Sequence, residues 1–376
     1  MVHRRQLLAA GSGAIATAIA GCMNGESETS NGSGETESYE VCIEPAGCHT
    51  FESVPETFSV IPGTQEDMAM ALGLQPEAHA YPDRKPYKFY DQLPGVEHDP
   101  DKILQYGEGE SARTYDKEIF YEVDADVHLM DPRMLQSYSG WSDADLEEIE
   151  TSVAPYLGSY IRFEFDGNEE PYYTMYELFE KIAKIFRREE QYEAWVELRD
   201  EFIADIEAGL PPEDERPSAA VFWRGISAES GQFEPAPIAD KRNDAQSFRD
   251  LGFEDAFADI EPDGPVGYET LLEVEPDYLG AYNLSSMTGE EWQTEVIDPL
   301  ENHSTASELE AVENGNVVRS SGQFMGPIAH LFSTEALAKQ VYPDEFGEWP
   351  GDSEDIPMDE QLFDRERVAD IVNNDL

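Results

Sequence analysis

The sequence predicts an α/β protein: two wound α/β lobes joined by a long rigid interlobe helix, with a ligand cleft between the lobes. Three observations lead to it. A chain of 376 residues holds enough material for two lobes of ordinary domain size. Each half alternates short apolar or aromatic runs, ending in turn formers, with helical or polar segments, the pattern of a parallel wound sheet. Between the halves, from Pro171 to Gly209, apolar residues recur at helical spacing until Gly209 and the pair Pro211-Pro212 stop them.

The first segment, residues 1–22, begins with paired Arg4 and Arg5, continues as an apolar stretch of small residues and closes on Ile19-Ala20-Gly21-Cys22. A basic start before a short apolar run is an export signal, and this run is too short and glycine-rich to make a comfortable membrane span. Arg-Arg-Gln-Leu-Leu resembles a twin-arginine signal, and Ile-Ala-Gly-Cys resembles a lipobox, which implies a lipid anchor on Cys22. Residues 23–38, rich in Gly, Ser and Glu, read as a disordered acidic tether. The body therefore hangs on the extracellular face of the cell membrane. In an oxidising compartment Cys42 and Cys48 are a candidate disulfide; free thiols and a metal site are the alternatives, the last short of ligands because only His49 is near.

Composition narrows the partners. The chain carries 81 acidic against 24 basic residues, a net charge of −57, yet 40% of it is hydrophobic and 11% aromatic. That is too much core-forming material for a disordered polyanion. The acidity runs along the whole chain, as on a solvated surface suited to strong brine, and it disfavours nucleic acid and anionic membrane surfaces.

In the first lobe, residues 39–170, TFSVIPG, AHAYPDR, ADVHLMDPR and LGSYIRFEFDG read as strands; in the second, residues 210–346, SAAVFWRG, DYLGAYNLS and NVVRSSG do. The charged stretch Arg187 to Gln191 breaks the connector, residues 171–209, into two helices, and a second helix from Arg188 to Ala208 would span about 30 Å. The tail, residues 347–376, recovers helical spacing in LFDRERVADIV and is expected to pack on a lobe.

Two stretches repeat one device. DKEIFYEVDADVHLMDP, from Asp116, and GYETLLEVEPDYLGAYN, from Gly267, each set a glutamate eight positions before an aspartate: Glu118 before Asp126, Glu269 before Asp277. Each predicts a helix starting at its glutamate, capped near Asp116 or Gly267, burying Phe120 and Val123 or Leu272 and Val274, then turning into a strand.

Several segments together resemble the substrate-binding lipoproteins of ABC importers for ferric siderophores, cobalamin and haem, the group with a rigid helical backbone, here of haloarchaeal type. VPETFSVIPGTQEDMAMALGL is similar to that family's opening strand and helix, FEKIAKIFRREEQYEAWVELRDEFIADIEAGL to its interlobe helices, GYETLLEVEPDYL to its glycine, Tyr-Glu, Leu-Leu and Pro-Asp segment, and LEAVENGNVVR and LAKQVYPDEF to its closing strand and helix. The resemblance implies a monomeric, non-enzymatic receptor without a cofactor, whose partners are an ABC permease and its ATPase. One surface glutamate on each lobe would meet arginines of the permease, and the matching residues are Glu118 and Glu269. The first unit departs from the pattern, with Ala125 where the family usually has proline.

In open α/β sheets ligands collect beyond the carboxyl ends of the strands. The ligand candidates are therefore Tyr81 and Arg84, Arg133 and Tyr138 with Trp141, Trp223 and Arg224, Tyr282, and Gln323 with Phe324. In a chain so poor in positive charge, Arg84, Arg133, Arg224 and Arg319 near strand ends point to a ligand bearing carboxylates or other anionic oxygen, which guanidinium meets with paired donors. Iron coordination by tyrosines, or by His79 and His128, is the alternative to a preformed chelate; a clustered metal motif is missing, and His128 falls inside a predicted strand. Two other classes stay open. An exported hydrolase or oxidoreductase lacks a Gly-x-Ser-x-Gly elbow, a His-Glu-x-x-His pair, a Walker loop and a Gly-x-Gly-x-x-Gly turn. A structural surface lipoprotein draws on the tether and on glycosylation sequons at Asn31, Asn283 and Asn302.

Overall fold

Buried runs of Val, Ile, Phe and Ala build two parallel sheets. The computed structural model describes residues 38–80, 86–107, 115–162, 172–239, 242–260, 262, 264–321 and 324–376. The export signal, Cys22 and the tether up to residue 37 lie outside the described residues, as do Tyr81, Arg84 and Gln323. A hairpin opens the body: β1 (Tyr39–Ile43) pairs antiparallel with β2 (Gly47–Phe51), Cys42 stands opposite Cys48, and the two are joined in a disulfide.

The first sheet holds β3 (Phe58–Ile61), β4 (Ala78–His79), β5 (Leu104–Gln105) and β6 (Val127–Met130) in the order β5-β4-β3-β6, all parallel. β3 and β6 are buried along their whole length, as strands covered on both faces must be. In the second lobe come β7 (Ser218–Phe222), β8 (Gln232–Phe233), β9 (Glu254–Asp255), β10 (Val266–Gly267), β11 (Tyr278–Ala281) and β12 (Val317–Arg319). Its parallel sheet runs β12-β11-β7-β9, with β8 and β10 as a separate antiparallel pair.

One predicted strand is corrected. Within LGSYIRFEFDG the described part, 157–162, is not a strand, and only Tyr156, just before it, bridges to His128. A Cβ at Gly158 would lie 2.4 Å from the Met130 backbone nitrogen, so the chain there is pressed flat against β6. Side chains then replace the ladder: Gln65 Nε2 donates to the Ser159 carbonyl at 3.1 Å, and the Tyr160 N–H donates to Asp131 Oδ2 at 3.1 Å.

The connector forms two helices, Met175–Ile185 and Glu189–Gly209. Thr174 and Glu177 close a capping box at the first, and Arg187, at φ +54°, makes the break. The second helix has 21 residues and is about 30 Å long; it buries Trp195, Leu198, Phe202, Ile203 and Ile206, and the Trp195 indole donates to the Ala71 carbonyl at 2.6 Å.

The centre of the body is a helix whose role the sequence did not reveal. Pro327–Val341 is buried on every side except at Gln340 and packs on the helices Gly63–Ala71 and Gln246–Asp250 and on β12. Through it one apolar cluster runs from Val60 and Leu129 of the first sheet to Val221 and Val318 of the second. The tail touches both lobes: Asp352 accepts from Arg319 at 3.0 Å and from the Gly289 N–H at 2.7 Å, while Gln92 of the first lobe donates to Ser353 Oγ at 3.0 Å. No helix among the described residues is long and apolar enough to cross a membrane.

The doubled element is equivalent residue for residue. Helices Lys117–Val123 and Tyr268–Val274 both end on a left-handed residue, Asp124 at φ 46° and Glu275 at φ 44°, three positions before β6 and β11. Asp126 accepts the Glu56 and Thr57 N–H groups at 2.8 and 3.0 Å, and Asp277 accepts the Ser218 N–H at 2.8 Å, so each aspartate clamps the entry to a central strand of its lobe's parallel sheet, β3 or β7. Phe120 is buried as predicted. In the second unit the buried residue is Leu271, not Leu272, which stands outside; Val123 and Val274 are only half-buried. Each seven-residue helix fully buries a single side chain between cap and strand, and in both copies it is the second residue after the glutamate.

Candidate functional site

The carboxyl ends of β7, β11 and β12 carry Trp223, Tyr282 and, a few residues on, Phe324. The structure gathers these three around Arg162, which follows the segment laid along β6. The Arg162 guanidinium lies 5.7 Å from the Trp223 ring centroid and 5.0 Å from that of Phe324, and Trp223 meets Tyr282 edge to face at 6.2 Å. Its Nε donates to both oxygens of Asp244 at 2.9 Å, and an Nη lies 2.7 Å from Oδ2.

Arg162 belongs to the first half of the chain and Asp244 to the second, so the pair closes across the junction between the sheets. Both are buried, at 4% and 2% exposure. Burial pushes the Asp244 carboxyl up, with Arg162 pulling against it, and Arg162 keeps its charge because guanidinium does not give up its proton in a protein. Phe324 holds φ +59°, a left-handed backbone that costs a phenylalanine about 1 kcal/mol or more. Its ring is thereby held against the guanidinium. The result is an aromatic-walled guanidinium whose charge Asp244 balances.

The other predicted residues that the structure describes sit elsewhere. Arg133 grips Asp131 with Nε at 3.0 Å and Nη2 at 2.7 Å and lies over Tyr172 at 5.4 Å. Tyr138 packs on the cluster containing Phe120, and Trp141 is inside that cluster, its indole donating to the Tyr115 carbonyl at 3.0 Å. Arg224 is exposed and pairs with Glu234 at 3.0 Å. Arg319 is buried and spent on the tail, donating to the Met287 carbonyl at 2.6 Å, to Gly351 and to Asp352. Glu118 and Glu269 are exposed on their matched helices.

Neither histidine joins the cluster. His128 bonds Ser59 Oγ at 2.7 Å, and burial lowers its imidazole to about 3, so it stays neutral in the core. His79 bonds Glu66 at 3.0 Å and the Tyr87 hydroxyl at 3.1 Å. The one group of three metal-ligand types among the described residues, Glu40, Cys42 and Cys48, has both sulfurs in the disulfide and so offers no thiolate. A cavity of about 270 Å³ opens beside Arg188, Gln75 and Asn373, and none of the strand-end residues lines it.

Sequence reasoning missed Arg162 and Asp244. Arg162 had a signal, an arginine among aromatics in YIRFEF, but the run reads as strand interior; Asp244 is one of 81 acids and has none.

A family model described as periplasmic binding protein matches residues 126–323. No curated protein matches the chain. Solved structures of similar fold include the siderophore binding protein BauB bound to two molecules of acinetobactin and ferric iron, at 17% identity over 89% of this chain and 99% of that one, TM-score 0.54. The periplasmic catecholate-siderophore binding protein VctP from Vibrio cholerae is 18% identical over 81% of this chain and 99% of its own, TM-score 0.54. The iron uptake ABC transporter substrate-binding protein PiuA from Streptococcus pneumoniae is 15% identical over 80% and 98%, TM-score 0.55. At these identities the likeness is one of fold.

Proposed function

The chain belongs to the periplasmic binding protein family, and from that premise we propose that it captures a ferric siderophore or related metal chelate outside the cell and delivers it to an ABC permease and its ATPase. The carrying observation is the Arg162–Asp244 centre, a buried ion pair walled by Trp223 and Phe324, where the segment laid along β6 of the first lobe meets the ends of β7 and β12 of the second. Siderophore chelates offer flat apolar faces, which the aromatic rings around this ion pair suit. Similar folds that carry siderophores support this cargo class. In this reading the cargo is a preformed chelate rather than bare iron held by protein atoms. Tyr81, Arg84 and Gln323 follow strands in the sequence and complete the proposed site.

In this reading the receptor is a monomer tethered through lipid on Cys22 after twin-arginine export, it works in strong brine, and Glu118 and Glu269 dock it on the permease. The test is visible absorption and mass spectrometry of protein isolated from its own iron-limited cells, followed by titration in high salt with ferric hydroxamates, ferric catecholates, cobalamin and haem. A ferric chelate should copurify and rebind. Failure of every one of these probes to bind sinks the proposal.

A further inference from the structure

The exposed face of the doubled helix carries more than its first glutamate. At the same three steps in each copy stand Glu118, Tyr121 and Glu122, and Glu269, Leu272 and Glu273, all exposed. Positions one, four and five of this run share one face of a helix. Only seven large hydrophobic side chains are exposed among the described residues, and two of them, Tyr121 at 46% and Leu272 at 38%, hold this equivalent place, one per lobe. Scattered surface apolar residues need no explanation, but a matched pair on a duplicated element does.

We propose that Tyr121 and Leu272 are the apolar contacts by which the two lobes seat on one membrane permease, each entering a socket whose rim is basic. The inference rests on the proposed delivery to a permease and names the residues that make it selective. A carboxylate alone cannot mark the spot on a surface with 81 acids, and exposed ion pairs are weak and salt-screened. A large side chain that becomes fully buried is what a partner can grip, while the flanking carboxylates select a positive rim. The same carboxylates disfavour an anionic lipid surface as the occupant. Two equivalent patches call for a partner with two equivalent sockets. Tyr121 also donates its hydroxyl to Glu148 at 3.0 Å, which fixes the ring's direction.

Benzoylphenylalanine in place of Tyr121 or of Leu272, in the full chain in its own cells, should crosslink to the same polytopic membrane protein from both sites. Crosslinking to lipid, or to nothing, overturns the inference. Radioiron uptake from the cells' own iron-limited medium is the second measurement. Tyr121→Ser and Leu272→Ser should each lower it, and the pair together should lower it about tenfold or more, with Tyr121→Phe restoring it, Ile260→Ser, at 43% exposure another outward residue, leaving it unchanged, and melting temperatures unmoved. Normal uptake in the double variant refutes the role. Loss of chain-dependent uptake in the wild type would instead refute the cargo, and the crosslinks would still decide this surface.

Discussion

Asp67 and Ala329 are 262 positions apart, and the Asp67 carboxylate accepts the Ala329 N–H at 3.1 Å. Asp67 Oδ1 takes the Tyr90 hydroxyl at 2.6 Å. A side chain of the helix Gly63–Ala71 thus caps the start of the central helix Pro327–Val341, where unpaired N–H groups and the helix dipole favour negative charge. A Cβ at Gly326 would come within 2.7 Å of Asp67, so glycine is what admits the carboxyl.

Burial nevertheless raises Asp67 to about 7, with the Tyr90, Ala329, Ile328 and Gly326 hydrogen bonds opposing the shift. The folded protein then holds this proton more tightly than the unfolded chain, so the contribution is full below about pH 4 and is lost as pH rises to about 7. Asp67→Asn should therefore flatten the fall in stability between pH 5 and 8, by an amount on the order of 2–4 kcal/mol. Denaturant unfolding of variant and wild type across that range checks it; parallel curves would show that Asp67 does not titrate there.

Removing one member of the Arg162–Asp244 pair leaves a buried charge without its counter-ion. Asp244→Ala should cost roughly 3–5 kcal/mol, whereas Arg162→Met with Asp244→Met should recover most of it. The double variant should still lose ferric chelate binding. Thermal unfolding alongside titration separates the two roles, and a double variant that binds normally would remove Arg162 from the site.

Leu271 and Leu272 are neighbours in sequence with opposite surroundings. Leu271→Ala should destabilise by about 2–5 kcal/mol because it opens a cavity in the second lobe's core, and Leu272→Ala should stay within about 0.5 kcal/mol. Equal losses would mean that the helix is rotated from the orientation described.

Charge reversal at Glu269, as Glu269→Arg, should lower uptake and leave chelate affinity unchanged, since the residue is outside the Arg162 centre. In strong brine the Debye length is about 3 Å near 1 M salt, so the effect should come from contact rather than steering. Uptake in cells, set against titration of the pure variant, makes the comparison.

The fold class was legible because local patterns carry it. TFSVIPG, ADVHLMDPR, SAAVFWRG and DYLGAYNLS became β3, β6, β7 and β11, and the helical spacing from Tyr172 onward became two helices broken at Arg187. LGSYIRFEFDG misled because aromatic and β-branched residues report burial, and that segment is buried by lying on β6 without pairing along it. That Trp223, Tyr282 and Phe324 lie near one another was legible because chain direction in a parallel sheet puts strand ends on one edge.

By itself the sequence determined periodicity, chain direction and the duplication of the glutamate helix, all of which are properties of residues close in the chain. Tertiary structure alone decided that Arg162 meets Asp244, that Asp67 caps Ala329 and that Pro327–Val341 is the common core of both lobes. Those pairings join residues 82 and 262 positions apart, and a short-range pattern does not record which of many chemically equal acids closes the distance; packing of the whole body selects it.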